Sequence, residues 1–81
     1  MFYTYILLSY KDNKYYIGYT NDLKRRFAEH QSGKVIATKN RLPLKLIYYE
    51  AYTTSELARK QEILYKTGQG RRILKKRLQI G

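Results

Sequence analysis

Five side chains of this 81-residue sequence have the types and spacing to act together on a phosphate ester. Tyr5 and Tyr16 lie in strand-like runs, and a tyrosine hydroxyl can carry a proton while its ring stacks on a base. Arg26 lies four residues before His30, the single histidine, and its planar fork suits phosphate oxygens. Glu62 lies within a helical pattern without a capping role, and one carboxylate can hold a hydrated Mg²⁺.

Each of these side chains also has a purely structural interpretation. Tyrosine favours β-strands, so both tyrosines could be ordinary sheet residues. Arg26 could be a solvated helix charge, and a lone histidine such as His30 is more often structural than catalytic. Glu62 could pair with Lys66 one helical turn later, an interaction worth about 0.3–0.5 kcal/mol. Residue type and spacing alone leave both interpretations open.

A β-hairpin over residues 2–20 would position the two tyrosines. β-branched, aromatic and aliphatic residues fill 2–9 and 15–20, and the polar segment between them favours a turn. Gly18 lies inside the second run. Because a glycine within a strand often indicates a bulge or a close approach by backbone or ligand, we expect one of these at Gly18.

The first helix would carry the arginine and the histidine. Thr20 or Asn21 can cap its start, with Asp22 near the positive end of the helix dipole. Leu23 and Phe27 lie four residues apart and are expected to face the sheet. The arginine–histidine pair should then emerge beside them, at the edge of the core.

A third strand and two further helices complete the predicted fold. The strand covers Leu44–Tyr52, with one face formed by Leu44, Leu46 and Tyr48. Thr53 and Glu56 form a capping-box pattern before a helix over residues 54–66. Gly68 and Gly70 would interrupt that helix before a short basic helix over residues 71–78. The order ββαβαα predicts an α/β (α+β) fold with a three-stranded antiparallel sheet flanked by helices.

Charge is the strongest compositional feature. Seventeen Lys and Arg residues oppose six acids, so the formal net charge is +11 and a polyanionic partner is favoured. Two basic segments, the loop over residues 34–43 and the third helix, are expected to contact the phosphates of nucleic acid. The candidate contacts are Lys34, Lys39, Arg41, Arg71, Arg72, Lys75 and Lys76.

Composition also excludes several alternatives. Without cysteine there are no disulfides or thiolate zinc sites, so stability must come from packing. The apolar run over residues 2–8 is too short for a membrane span and lacks the features of a leader, so no membrane role and a cytoplasmic location are expected. We expect a single domain over residues 1–81, with no attached targeting domain.

Two segments resemble the paired signature of the GIY-YIG nuclease superfamily. Tyr3-Thr4-Tyr5 lies on the first strand and keeps only the final tyrosine of Gly-Ile-Tyr, whereas Tyr16-Ile17-Gly18 on the second strand is an intact Tyr-Ile-Gly. Arg26, His30 and Glu62 follow at the positions of the superfamily's catalytic arginine, its histidine or tyrosine, and its metal-binding glutamate. The likeness covers nearly the whole chain. It is closest in pattern to small standalone members, and it extends to the GIY-YIG domain of the excision-repair endonuclease.

This resemblance implies a metal-dependent endonuclease that hydrolyses DNA with one Mg²⁺, and a role in DNA repair. By analogy, Glu62 binds the metal, Arg26 the phosphate, and Tyr5 is the general base, assisted by Tyr16. His30 would donate a hydrogen bond to the phosphate or shuttle a proton. Because tyrosine has an ordinary pKa of about 10, we expect nearby cations to lower the pKa of Tyr5.

Two other functions fit the same residues. A nucleic-acid-binding module of the same fold, catalytically weak or inactive, is consistent with the incomplete first signature. A ribosome- or RNA-associated basic protein could use its tyrosine-rich strands for base stacking. The acid at position 62 favours the enzyme, because an acid beside bound phosphate repels it unless a metal intervenes. DNA against RNA, a targeting partner protein and the oligomeric state stay open at this point.

Overall fold

The computed structural model of the chain describes residues 1–78 and has the predicted order ββαβαα. Within these residues, no helix is both long and apolar enough to cross a membrane. The strand boundaries agree with those expected from the apolar runs. The elements are β1 (Phe2–Ser9), β2 (Tyr15–Thr20), α1 (Leu23–Gln31), β3 (Leu44–Tyr52), α2 (Ser55–Tyr65) and α3 (Gly68–Leu78).

The strands form one antiparallel sheet of order β2-β1-β3, with β1 in the centre. Alternate residues of β1 are buried on opposite faces, so the strand supports two apolar clusters. On one face Tyr5 and Leu7 pack with Leu44 and the apolar stripe of α1. On the other face Ile6 packs with α2 and α3. Both sheet faces are therefore covered, and β2 is an edge strand whose side chains are close to both layers.

A β-bulge in β3 corrects the predicted face of Tyr48. Ile6 of β1 pairs with Tyr48, but the next β1 residue pairs with Leu46, so Ile47 is the extra residue. The insertion reverses the alternation of side chains. Leu44 and Leu46 therefore pack on the α1 side, while Tyr48 packs with the cluster on the α2 and α3 side.

The first helix begins after Asp22, and not after Thr20 or Asn21 as predicted. The Asp22 carboxylate accepts a hydrogen bond from the backbone N–H of Arg25 at 3.1 Å, which satisfies one of the free donors of the first turn. Thr20 instead supports the preceding turn, since its hydroxyl oxygen accepts from the Asp22 N–H at 3.1 Å. A charged cap at the positive end of the helix dipole is favoured over the neutral alternatives.

The second helix also begins one residue later than predicted. Thr54, and not Thr53, has extended backbone angles and accepts from the Leu57 N–H with its hydroxyl. Both residues are threonines with good capping ability, so the sequence alone does not discriminate between them. The predicted capping box is therefore shifted, and Glu56 lies in the first turn as a favourable acidic charge.

Gly68 and Gly70 lie in the first turn of α3, which corrects the predicted start of that helix. The Thr67 hydroxyl accepts from the Gly70 N–H at 3.0 Å, and the Thr67 carbonyl accepts from the Arg71 N–H at 2.9 Å. A Cβ at Gly70 would overlap the backbone carbonyl of Leu64. Glycine at this position therefore allows α3 to pack directly against the end of α2.

A largely enclosed carboxylate joins β3 to both of these helices. Glu50 accepts hydrogen bonds from the hydroxyls of Tyr48 at 2.6 Å, Tyr52 at 2.5 Å and Tyr65 at 2.5 Å, and it pairs with Arg77 at 3.0 Å. Burial alone would raise the pKa of Glu50, but these hydrogen bonds and the arginine charge outweigh it and hold the pKa below its usual range. The carboxylate therefore stabilises the fold in its charged form.

We expect Glu50→Gln to destabilise the fold by about 2 kcal/mol, since an amide cannot accept equally from three hydroxyls and a guanidinium. A fall of roughly 10 °C in melting temperature follows for a domain of this size. Because the folded-state pKa of Glu50 is depressed, its contribution is complete above the unfolded value of 4.5 and is lost as pH falls through the folded value. The difference between wild type and Glu50→Gln should therefore narrow in acid. Thermal melts across pH test this, and a gap independent of pH would contradict it.

Candidate active site

Tyr5 lies on the central strand with its ring folded over Gly18 of the neighbouring edge strand. The two residues are register partners, and only 1% of the tyrosine is exposed. A Cβ at Gly18 would collide with the ring and hydroxyl of Tyr5. A close approach does occur at this glycine, but it is made by a side chain and not by the backbone or ligand that was predicted. The missing Cβ lets the Tyr5 hydroxyl reach the edge of the sheet.

We expect Gly18→Ala to displace the Tyr5 ring and destabilise the protein by about 1–3 kcal/mol, the usual range for overpacking a buried site. Gly68→Ala is the matched control, because nothing lies within 4 Å of a Cβ built there. Chemical denaturation of both variants measures the effect. Equal stability of the two variants would show that the sheet accommodates the methyl group without strain.

His30 joins the two tyrosines in a buried cluster. Its Nε2 lies 2.8 Å from the Tyr5 hydroxyl, and its ring lies 5.1 Å from the Tyr16 ring and 5.7 Å from the Tyr5 ring. The last turn of α1 supplies the histidine, which is fully buried. It does not emerge with Arg26 at the edge of the core as predicted, because the tyrosines and the loop after α1 enclose it. A direct hydrogen bond from His30 to a phosphate is therefore not available in this conformation.

Thr38 holds the other side of the imidazole. Its hydroxyl lies 2.7 Å from His30 Nδ1, and both residues are fully buried. Neutral imidazole has one N–H, so either Thr38 donates to Nδ1 or Tyr5 donates to Nε2. Within residues 1–78 the fully buried Thr38 hydroxyl has no other acceptor, so the opposite tautomer would enclose its proton without a partner. Arg26 can only donate to the Tyr5 hydroxyl, which lies beside the arginine that borders the cleft. We therefore expect Thr38 to donate, which leaves Nε2–H to donate to Tyr5.

This tautomer can be observed directly. We expect the ¹⁵N NMR shifts of wild-type His30 to show a protonated Nε2 and an unprotonated Nδ1. Thr38→Val should destabilise the fold by about 1–3 kcal/mol, because it leaves a buried nitrogen without a partner. Thr38→Ser keeps the hydroxyl and serves as the control. A protonated Nδ1 in the wild type would reverse the direction of the hydrogen-bond chain.

Both members of the Tyr5–His30 pair are neutral near pH 7. Burial raises the pKa of Tyr5 to about 12, although the neighbouring guanidinium of Arg26 acts in the opposite direction. The expected lowering of this pKa by nearby cations is therefore wrong for the protein without ligand. Burial, followed by the charge of Arg26, lowers the pKa of His30 to about 4.

Arg26 lies on α1 beside this cluster, at the border of an open cleft. Its Nη1 pairs with Glu29 at 3.1 Å, and 36% of the arginine side chain is exposed. The cleft has a volume of about 490 Å³ and is mostly polar. Arg59 closes its far side, with its guanidinium 4.5 Å from the centre of the Tyr19 ring. Sequence reasoning missed Glu29 and Arg59, whose significance depends on contacts between separate elements.

Glu62 lies on α2 with 20% of its side chain exposed, and it pairs with Lys66 at 3.1 Å. Its charge also contributes to the raised pKa of Tyr5, so the carboxylate lies in the electrostatic neighbourhood of the cluster. Within residues 1–78 there is no group of three or more potential metal-binding His, Cys, Asp or Glu residues. A single accessible carboxylate still fits Mg²⁺, which keeps most of its waters and shares phosphate oxygens with the substrate.

The seven basic residues predicted to contact nucleic acid do not form one surface. Three of them border a groove between the β1–β2 turn and α3, which we call the hairpin groove: Arg41, Arg71 and Lys75. The other four are exposed outside it: Lys34, Lys39, Arg72 and Lys76. The basic loop and the third helix therefore meet in part, on a side of β2 away from the tyrosine–histidine cluster.

The small antiparallel sheet, with two tyrosines, a histidine and an arginine close together, has the arrangement that the resemblance to GIY-YIG nuclease domains led us to expect. Residues 1–77 match the GIY-YIG catalytic domain, and the chain belongs to the GIY-YIG family. The family is one of nuclease catalytic domains, and its members generally use a divalent metal.

Similar proteins include small members called UPF0213 proteins. Two UPF0213 proteins of Streptococcus pneumoniae are 48% identical to this chain over 65 residues, covering 79% of it. The matched part spans 65% of their length. A UPF0213 protein of Streptococcus pyogenes is 45% identical, with coverage of 79% and 70%. The solution NMR structure of a UPF0213 protein from Bacillus halodurans has 36% identity and a TM-score of 0.55, covering 91% of this chain and 82% of that one.

Proposed function

We propose that this chain is an endonuclease that hydrolyses phosphodiester bonds of DNA with one Mg²⁺ ion, acting through a single domain over residues 1–81. The observation that carries the proposal is the hydrogen bond between Tyr5 and His30, beside Arg26. These three groups come from β1 and two turns of α1, and packing of the sheet alone does not require them to meet. Glu62 adds a carboxylate from the opposite layer.

Glu62 would hold the metal in this proposal. When bound, the ion would activate a water molecule, neutralise charge on the phosphoryl oxygens and lower the pKa of nearby acids. The lysine that pairs with Glu62 is half exposed, so exchanging this contact for a cation costs little. Magnesium is favoured over softer metals because the site provides an oxygen ligand and no thiolate.

Arg26 would bind the scissile phosphate through its planar guanidinium. In the protein without substrate the same guanidinium is paired with Glu29. Both side chains of this ion pair are about one third exposed, so the pair is weak and the arginine would exchange the carboxylate for the phosphate as substrate enters. The charge that develops on the phosphoryl oxygens in the transition state would strengthen this contact.

Tyr5 would accept the proton of the attacking water as a phenolate. His30 Nε2–H would donate to its oxygen and the positive charge of Arg26 lies nearby, and both stabilise the charged form of a phenol. Tyr16, half-buried with its ring 6.4 Å from that of Tyr5, would orient the water. The pKa of Tyr5 is raised in the free protein, so this proton transfer would depend on the positive charge of the bound metal ion.

A second candidate is a nucleic-acid-binding module of the same fold with weak or absent cleavage. The enclosed, neutral phenol of Tyr5 favours it, as do the carboxylate and lysine partners that already occupy Arg26 and Glu62. Such a module would depend on a partner protein for its biological role. It would bind nucleic acid through its positive charge with strong dependence on salt.

Cleavage of a labelled panel with and without Mg²⁺ separates the two candidates. The panel contains single-stranded, duplex, flap and branched DNA together with RNA of matching sequence. Mg²⁺-dependent scission of a DNA member supports the nuclease, and scission of RNA alone would replace DNA as the substrate. Binding without scission of any member would favour the binding module. Scission in excess EDTA would show that cleavage does not require a metal ion.

A further inference from the structure

The hairpin groove has the lining expected of a site for a flat, charged ligand. Its volume is about 670 Å³. The floor is apolar, because Ile17 and Leu74 contribute buried side chains. Tyr15 forms one wall and is 47% exposed, so its ring is accessible beside the apolar floor. An exposed ring above apolar side chains can sandwich a planar group.

The rim of the hairpin groove has an excess of positive charge. Arg41 is compensated, since its Nε lies 2.7 Å from Asp12, and this hydrogen bond lowers the pKa of the aspartate to about 2. Lys14, Arg71 and Lys75 also border the groove, and none of them pairs with a carboxylate within residues 1–78. Three such cations around an aromatic wall fit a planar ring that carries a phosphate.

The groove and the candidate active site lie on opposite sides of the same edge strand. Successive residues of a strand point to opposite faces, so Tyr15 and Ile17 face the groove while Tyr16 faces the cluster with His30. A nucleic acid that reaches both sides must turn around the edge of β2. Duplex DNA is stiff over such a short distance, and its bases are already stacked, whereas an unpaired strand can turn.

We infer that the hairpin groove binds one unpaired nucleotide of the substrate, with the base stacked on Tyr15 and the phosphate held by Arg71 and Lys75. The inference rests on the proposed nuclease function, because it assigns the groove to the same nucleic-acid strand that would be cleaved in the active site beside Tyr16. An acidic peptide would satisfy the cations, but the apolar floor and exposed aromatic wall favour a base. The groove thereby selects substrates with an unpaired segment beside the cut.

Fluorescence anisotropy with a labelled single-stranded DNA oligonucleotide and its blunt duplex tests this inference without requiring cleavage. Tyr15→Ala should weaken single-strand binding about tenfold, in line with the loss of one base-stacking platform. Lys75→Gln should weaken it severalfold and reduce the slope of log affinity against log salt by about 0.7. Duplex affinity should change much less in both variants.

Matched variants away from the groove provide the controls. Tyr10→Ala removes a tyrosine that is 53% exposed, and Lys45→Gln removes an exposed lysine from β3, the opposite edge strand. If each groove variant binds as well as its control, the groove inference fails while the proposed function stands. Equal losses of affinity for the single strand and the duplex would also show that the groove does not bind an unpaired nucleotide. If the wild type binds neither the single-stranded nor the duplex DNA, both proposals are wrong. If it then binds an acidic peptide, the groove is a site for a protein partner.

Discussion

Glu62→Gln is expected to reduce Mg²⁺-dependent cleavage by about 100-fold or more while leaving the fold intact. The amide keeps the size of the side chain but removes the charge that would hold the cation. Stability should change little, because the Lys66 partner is half exposed and such helical pairs contribute about 0.3–0.5 kcal/mol. Loss of activity would therefore report on metal binding and not on folding.

Substrate affinity gives this variant a second signature. Without metal, the carboxylate of Glu62 repels an incoming phosphate, so Glu62→Gln should bind DNA as well as the wild type or better. Addition of Mg²⁺ should then increase the affinity of the wild type only. Calorimetric titration with Mg²⁺ and anisotropy with labelled DNA measure the two effects separately.

Glu56→Gln is the matched control, since it removes an exposed acid from the first turn of the same helix. We expect it to cleave like the wild type and to keep the response to Mg²⁺. If Glu62→Gln cleaves as fast as Glu56→Gln, the metal ligand lies elsewhere and the one-metal proposal is wrong. If neither variant nor the wild type cleaves, the binding module is favoured.

The elements of this fold were predictable because local patterns determine them. Each strand is a continuous run of β-branched, aromatic and aliphatic residues bounded by turn-forming residues, so the boundaries of β1, β2 and β3 were confirmed. Helix starts were less certain, since neighbouring threonines and acids cap equally well in isolation. The bulge at Ile47 has no local signal, because it reflects how β3 pairs with β1, a strand far earlier in the sequence.

The site was predictable in its members but not in its electrostatics. The sequence indicated that Tyr5 would have many cations nearby, and Arg26 does act on its pKa. Burial has the larger effect, however, and burial depends on how Gly18, His30 and the loop after α1 enclose the hydroxyl. The hydrogen-bond partner of His30 was also not predictable from the sequence, because Thr38 is only a polar residue within a basic loop.

The functions of two acidic residues were also not predictable from the sequence. Glu29 and Glu50 have no local motif, and their positions in the sequence do not distinguish them from solvated surface charges. In the structure Glu29 occupies the arginine of the site, while Glu50 accepts from three tyrosines of two elements. Only tertiary contacts reveal these functions. The sequence therefore shows which residues can act on phosphate, but not which neighbouring residues pair with them in the free protein.

Arg26→Gln should lower the rate of cleavage by about 1000-fold, because a guanidinium that stabilises developing phosphoryl charge contributes far more in the transition state than in substrate binding. The Michaelis constant should change much less than kcat. Lys24→Gln removes one charge from the exposed face of the same helix and serves as the control. Single-turnover cleavage of the preferred panel substrate separates the chemical step from binding.

Glu29→Gln should have the opposite effect. It releases the guanidinium of Arg26 from a partner that is one third exposed, so the gain is limited to about threefold in kcat/KM. Because the carboxylate competes with phosphate for the same donor, the gain should disappear when Arg26 is also replaced. Additive effects in the double variant would mean that Glu29 acts on the substrate independently of Arg26. A loss of activity in Glu29→Gln would mean that the ion pair positions the arginine, and the exchange of anions proposed for substrate entry would be wrong.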